Sequence, residues 1–187
     1  MRLTLVRHAE VQEEYIGCYN GHIDIGLSAK GYADAKELEK HLSASQFDSI
    51  FCSDLKRTRE TLKQFIQSED VIYSKEIREK SWGDFEGKSF DEITSTTNLK
   101  YENFEQWTKA LGGESIEEFI ARVRKFFFEY LVSLEKENIL VVTHSGVIKI
   151  FMHILQDISL EVAFGISVPY ASFVSYDKIT DKKYTQR

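Results

Sequence analysis

Arg7 and His8 follow the apolar run Leu3 to Val6, and His144 follows a second apolar run, the NILVVT stretch at 138–143. Histidine at the end of a buried strand can offer a neutral ring nitrogen as a nucleophile or carry a proton near physiological pH. Arginine beside it supplies a planar guanidinium that grips phosphate or carboxylate oxygens through paired N–H groups and keeps its charge. Arg57, inside SDLKRTRET, adds a cation at the expected start of a helix, where free backbone N–H groups already favour an anion. Each residue alone has a plainer reading. A histidine at a strand end is commonly a hydrogen-bonded structural group, and Arg57 within KRTRE reads as a solvated surface charge. The group is harder to read that way, because cations gathered without carboxylates repel one another and a bound anion relieves that cost. The anion expected is phosphate-like.

Positioning these groups falls to a strand and helix alternation. Leu3 to Val6, Ser49 to Cys52 and Asn138 to Thr143, with the weaker Val71 to Tyr73, are short and nearly continuously apolar, as strands buried on both faces of a parallel sheet are. Between them lie helical patterns: Ala35, Leu38 and Leu42 after the cap Ser28, and Leu55, Leu62, Phe65 and Ile66 after the cap Ser53. The longest pattern starts at Ser115 with Glu118 as a capping box, and Phe128 falls off its apolar stripe, as a residue facing a partner subunit would. The alternation implies an α/β fold with helices on both faces and the ligand crevice at the carboxyl ends of the strands. Residues 171–176 alternate after the only proline and read as a late edge strand. Residues 80–113, with four glycines, a TSTTN stretch and six aromatic residues, read as an inserted, partly helical cap. Trp82 and Trp107 there fit a small core of the cap better than a substrate wall. No repeat or linker divides the chain, so residues 1–187 are expected to form one domain.

Composition bounds the function. With 187 residues, 42% hydrophobic and 29% charged, the chain can bury its own core without metal or disulfide support. Lys and Arg number 24 against 30 Asp and Glu, a net charge of −6, which disfavours nucleic acid and anionic membrane as partners. Cys18 and Cys52 have no paired spacing, and the N-terminus lacks a signal-peptide pattern, so reduced thiols and a cytoplasmic location are expected. No run reaches the ~20 apolar residues of a membrane span. His22, His41 and His153 share no metal-ligand spacing, so no metal and no cofactor is expected. The oligomeric state is open, with a homodimer one option.

Five segments carry a resemblance. LVRHAE, SDLKRTRET, IREKSWGDFEG, GGESIEEF and VVTHSGVI resemble, in order and approximate spacing over residues 1 to about 155, the motifs of the histidine phosphatase superfamily, also called phosphoglycerate mutase-like. The resemblance implies a three-layer α/β/α sandwich with a mostly parallel sheet, and phosphoryl transfer through a phosphohistidine without metal. His8 resembles the nucleophile, and Arg7 and Arg57 the phosphate clamps. His144 resembles the second histidine that donates to an equatorial phosphate oxygen, and Glu79 the acid that protonates the departing oxygen and then activates water. Outside the motif, Glu79 reads as a salt-bridged surface residue.

Several positions depart from the family pattern. Ala9 replaces a glycine, Val11 a hydroxyl residue, and Glu14 the early phosphate-binding asparagine. A carboxylate facing a dianion is repelled, so Glu14 is expected to point away or to meet a cationic part of the substrate. Asn20, in the GCYNGH loop, is a candidate for the lost amide role and otherwise a turn residue. The short interval between Glu79 and His144 disfavours the mutase branch. The GCYNGHIDIGLSAKG and GGES runs are most similar to the bacterial α-ribazole-5′-phosphate phosphatases of cobalamin assembly and to broad-specificity relatives. The implied function is hydrolysis of a small phosphorylated metabolite, with that ester as the candidate the resemblance names. The alternatives are mutase activity, or a non-catalytic member that binds phosphorylated ligands.

Overall fold

A computed structural model describes residues 1–177 and Ile179, so the last part of the expected domain lies outside the described residues. The strands form where apolar, partly β-branched runs occur: β1 (Arg2–Arg7), β2 (Ser49–Ser53), β3 (Val71–Ser74), β4 (Asn138–Thr143) and β5 (Phe173–Tyr176). They make one sheet in the order β3-β2-β4-β1-β5. All neighbours are parallel except β5, which runs antiparallel along β1.

Successive strand residues point to opposite faces, and each face receives its own helices. Leu3, Leu5, Phe51, Ile139 and Val141 pack with α5 (Ile116–Arg124), its continuation, and α7 (Ser145–Gln156). Val6, Ile50, Cys52, Leu140 and Val142 pack with Leu38, Leu42, Leu62 and Phe65, from or just after α1 (Ala29–Glu37) and α2 (Lys56–Phe65). The result is the expected three-layer α/β/α arrangement.

Two local expectations fail. Ser28 and Ser115 cap α1 and α5 through their side chains, but Ser53 does not cap α2. It is the last residue of β2; Leu55 occupies the cap position, without a side-chain bond. Phe128 does not point outward: it is buried within the chain and stacks on Phe151 at 5.4 Å. The cause is a π-helical stretch, Lys125–Tyr130, between α5 and α6 (Leu131–Ser133). Its wider turn breaks the 3.6-residue phase from which an outward direction follows, and buries three consecutive phenylalanines.

Segment 80–113 carries α3 (Phe90–Thr96) and α4 (Phe104–Leu111). Trp82, Ile93, Trp107 and Leu111 form a separate small core with Tyr19 and Phe85 against it. Its two ends are tied together: the buried Lys80 ammonium donates to Ser81 O and Gly112 O, each at 3.0 Å, and Glu114 N donates to Ser81 O at 3.1 Å. Gly113 permits this approach, since a Cβ there would lie 2.4 Å from Ser81 O, and its φ of +69° favours glycine besides. A last helix, α8 (Leu160–Gly165), packs beside α7 and leads to β5. Among the described residues no helix is long and apolar enough to cross a membrane.

Candidate active site

The strand order sets β2, β4 and β1 side by side, so their carboxyl ends bring Ser53, His144 and His8 together. The His8 and His144 rings lie 5.1 Å apart, centre to centre. His8 Nδ1 is 2.8 Å from the Ala9 carbonyl, which can only accept, so Nδ1 carries the hydrogen and Nε2 keeps a bare lone pair. Burial, then the charges of Arg57 and Arg7, hold the His8 pKa well below the usual histidine value, and the ring is neutral.

Arg57 sits in the first turn of α2 as expected, yet it is only 1% exposed. Its Nη1 donates to Ile23 O at 2.9 Å and its Nη2 to Gly21 O at 2.6 Å, which orients the guanidinium. Burial pushes its pKa down to about 10, so it stays cationic at neutral pH. Arg7 donates to Val168 O, and its guanidinium carbon lies 3.8 Å over the Tyr170 ring, while its Nε is buried without a hydrogen-bond partner among the described residues. Neither arginine makes an ion pair among the described residues. Two largely buried cations without carboxylate partners make a site that favours an anion.

His144 is fully buried and precedes α7. Arg57 Nε donates to its Nδ1 at 3.3 Å, so Nε2 carries the hydrogen and donates to Ser53 Oγ at 2.9 Å. Burial, then Arg57 and His8, lower its pKa well below the ordinary value. Glu79 bridges two elements: Oε2 accepts from Gly146 N in the first turn of α7 at 2.9 Å, and Oε1 accepts from Lys80 N at 3.0 Å. A carboxylate at a helix N-terminus is favoured by the dipole as well as by the bond.

These groups surround a cavity of about 300 Å³ whose wall includes Arg7, His8, Asn20, Arg57, Glu79 and Tyr170. His144 stands behind that wall. Asn20 reaches the wall with its Nδ2 bonded to Tyr15 O at 2.8 Å and its Oδ1 buried without a partner among the described residues, so the turn engages its amide. Glu14 is exposed and does not line the cavity. Among the described residues no three His, Cys, Asp or Glu side chains gather as a metal site, and neither cysteine forms a disulfide.

Sequence reasoning missed several supporting residues. Tyr170 and Lys149 line the cavity; Lys149 lies one helical turn after Ser145 on α7, a phase that marks it in retrospect. Ser53 was hidden by its resemblance to a helix cap. Arg122 was hidden by distance. All five of its N–H donors are engaged: a fork on the Glu114 carboxylate at 2.6 and 2.8 Å, then the carbonyls of Glu76, Arg78 and Glu79 at 2.8, 2.9 and 3.0 Å. The Glu79 carbonyl also receives His22 Nε2 at 2.8 Å.

A buried neutral histidine with a bare nitrogen, flanked by arginines that make no ion pair among the described residues, lies at the carboxyl edge of an α/β/α sheet, an arrangement suited to binding a phosphoryl group. Residues 3–186 match the family model of the histidine phosphatase superfamily (branch 1). The chain belongs to that superfamily and is a hydrolase of the phosphatase type. It is 32% identical over 157 residues to an adenosylcobalamin/α-ribazole phosphatase of Salmonella typhimurium, covering 81% of this chain and 78% of the relative. A protein of the same name from Escherichia coli is 29% identical over 182 residues, covering 95% and 90%. The crystal structure of the α-ribazole phosphatase of Shigella flexneri superposes with a TM-score of 0.80 at 28% identity, over 95% of this chain and 90% of that one.

Proposed function

We propose that this chain hydrolyses a small phosphate monoester through a phosphohistidine on His8, in the cytoplasm, with residues 1–187 acting as one domain and 80–113 as its cap. The observation that carries the proposal is the bare Nε2 of His8 beside Arg7 and Arg57. The ester phosphate is gripped by the two guanidiniums, and Nε2 attacks phosphorus opposite the leaving oxygen. The N–P bond forms as the P–O bond to the alcohol breaks, and Glu79 delivers a proton to the departing oxygen. Water then yields a proton to Glu79 and attacks phosphorus, the N–P bond breaks, and inorganic phosphate leaves.

His144 stabilises the charge that builds on the transferring group. Its Nδ1 is held only at 3.3 Å by Arg57, and a dianion beside it favours the protonated ring, turning Nδ1 into a donor. The names of the Salmonella and E. coli relatives support α-ribazole 5′-phosphate as the first ester to try.

The test is phosphate release from 4-nitrophenyl phosphate in excess chelator, wild type against His8→Ala, followed by α-ribazole 5′-phosphate, 3-phosphoglycerate and sugar phosphates. His8-dependent release that survives the chelator is expected, with acid-labile, base-stable phosphate trapped on His8. Release that is unchanged in His8→Ala would overturn the nucleophile.

A further inference from the structure

A second cavity, of about 370 Å³, lies against the first and shares Tyr19, Trp82 and Phe164 with it as a common wall. Its remaining lining is Tyr101, Phe104, Trp107 and Thr108 of the 80–113 segment and its flank, with Glu161 and Gly165 from α8. Aromatic side chains thus dominate it. Phe104 and Phe164 lie 4.2 Å apart, centre to centre, and Tyr19 packs edge-on to Trp82 at 5.0 Å. These rings are fixed by other bonds: Trp107 Nε1 donates to the Tyr19 hydroxyl at 2.8 Å, which leaves that hydroxyl its own hydrogen to give. Among the described residues, the one charged group in the lining is the exposed carboxylate of Glu161.

From this juxtaposition we infer that the second cavity receives the alcohol portion of the substrate, and that this portion carries a flat, neutral or cationic ring. The inference rests on the phosphatase reading, which puts the phosphate in the first cavity and leaves the alcohol to extend across the shared wall. Offset or edge-on contact with several aromatic rings favours a planar group over a flexible chain of equal size. The Tyr19 hydroxyl suits a ring acceptor at the edge of that plane. An anionic alcohol portion, such as a carboxylate or second phosphate, meets Glu161 and a low-dielectric wall and is disfavoured. The acidic rim and the basic floor therefore sort the two ends of the substrate, phosphate inward and ring outward.

The protein suits its own test, because its two tryptophans, Trp82 and Trp107, both line this cavity, so intrinsic emission reports on it. Propyl, 3-phenylpropyl and 3-carboxypropyl phosphate lose primary alcohols of closely similar basicity, so differences in kcat/KM report on the cavity and not on bond cleavage. The phenylpropyl ester is expected to exceed the propyl ester by about tenfold, and the carboxypropyl ester to fall below it.

Gly165→Trp supplies the matching variant. A Cβ on Gly165 meets no atom within 4 Å, so a side chain is accommodated at its base, and because Gly165 is part of the wall an indole there is expected to occupy the cavity. It should bring the phenylpropyl to propyl ratio close to one, as should Phe104→Ala by removing one wall.

Titration of His8→Ala with the propyl and phenylpropyl esters, read by tryptophan emission, measures binding without turnover. About tenfold tighter binding of the phenylpropyl ester is expected. Equal turnover of all three esters, dependent on His8, overturns the ring site and leaves the phosphatase reading intact. A tenfold preference that survives Gly165→Trp overturns the assignment to this cavity. If no ester is turned over, the phosphatase reading falls, and equal affinities in the titration overturn the ring site as well.

Discussion

His144 and Ser53 meet at the carboxyl ends of two adjacent strands, with Nε2 of the ring donating to Oγ at 2.9 Å. The bond turns the other nitrogen, Nδ1, toward Arg57. Both residues are fully buried, so no water stands ready to replace the hydroxyl.

Ser53→Ala leaves a buried N–H without a partner, at an expected cost of about 1–3 kcal/mol in stability. The ring also loses its orientation, and kcat should fall by about 10- to 100-fold, since small misplacements at the reacting centre cost that much. Thermal unfolding and steady-state kinetics check both numbers. A normal kcat would show that Arg57 alone orients His144.

Gly146 is required by Glu79. A Cβ at Gly146 would sit 2.0 Å from Glu79 Oε1, so Gly146→Ala must displace the carboxylate. Alanine is otherwise favourable inside a helix by about 1 kcal/mol over glycine. Stability should change little, while kcat for an alkyl phosphate drops by about 100-fold, the scale of general acid catalysis.

Arg122 holds the backbone that carries Glu79 without itself lining the cavity, and Glu114 holds Arg122. Arg122→Lys keeps the charge but loses the fork. Turnover of an alkyl phosphate, whose leaving oxygen needs a proton, should fall by about 100-fold, and turnover of 4-nitrophenyl phosphate by less than about tenfold. Equal losses on both esters would mean a general structural defect and no specific service to Glu79.

The two site histidines also shape acid stability. Burial and neighbouring cations hold both folded pKa values below the ordinary 6.5, so between the folded values and about 6.5 the unfolded chain binds more protons than the native one. Stability therefore rises with pH across that window, is fully present above it, and is lost as pH falls through it. Each histidine contributes a slope of up to ~1.4 kcal/mol per pH unit. His8→Asn should flatten the dependence of unfolding free energy on pH below about 6.5, as measured by denaturant unfolding at a series of pH values.

The amino-acid sequence by itself determined the layers and the principal charges of this protein. Short, β-branched apolar runs bounded by polar residues read as buried strands, and Arg7, His8 and His144 follow two such runs directly, so their place at the carboxyl ends of strands is a local property of the chain. Capping at Ser28 and Ser115 is equally local and equally legible.

What the tertiary structure decided are the relations between distant segments. Ser53 reads as a cap because its chemistry is the same whether it meets its own helix or a histidine from another strand. The outward direction read for Phe128 assumed a constant 3.6-residue turn, and the π-helical stretch removes that assumption. The Arg122 fork, the Glu79 contact with α7 and the aromatic cavity each join residues far apart in sequence, and no periodicity within one segment encodes which segment will face it. The types of chemistry are written along the chain, while their distances come from packing.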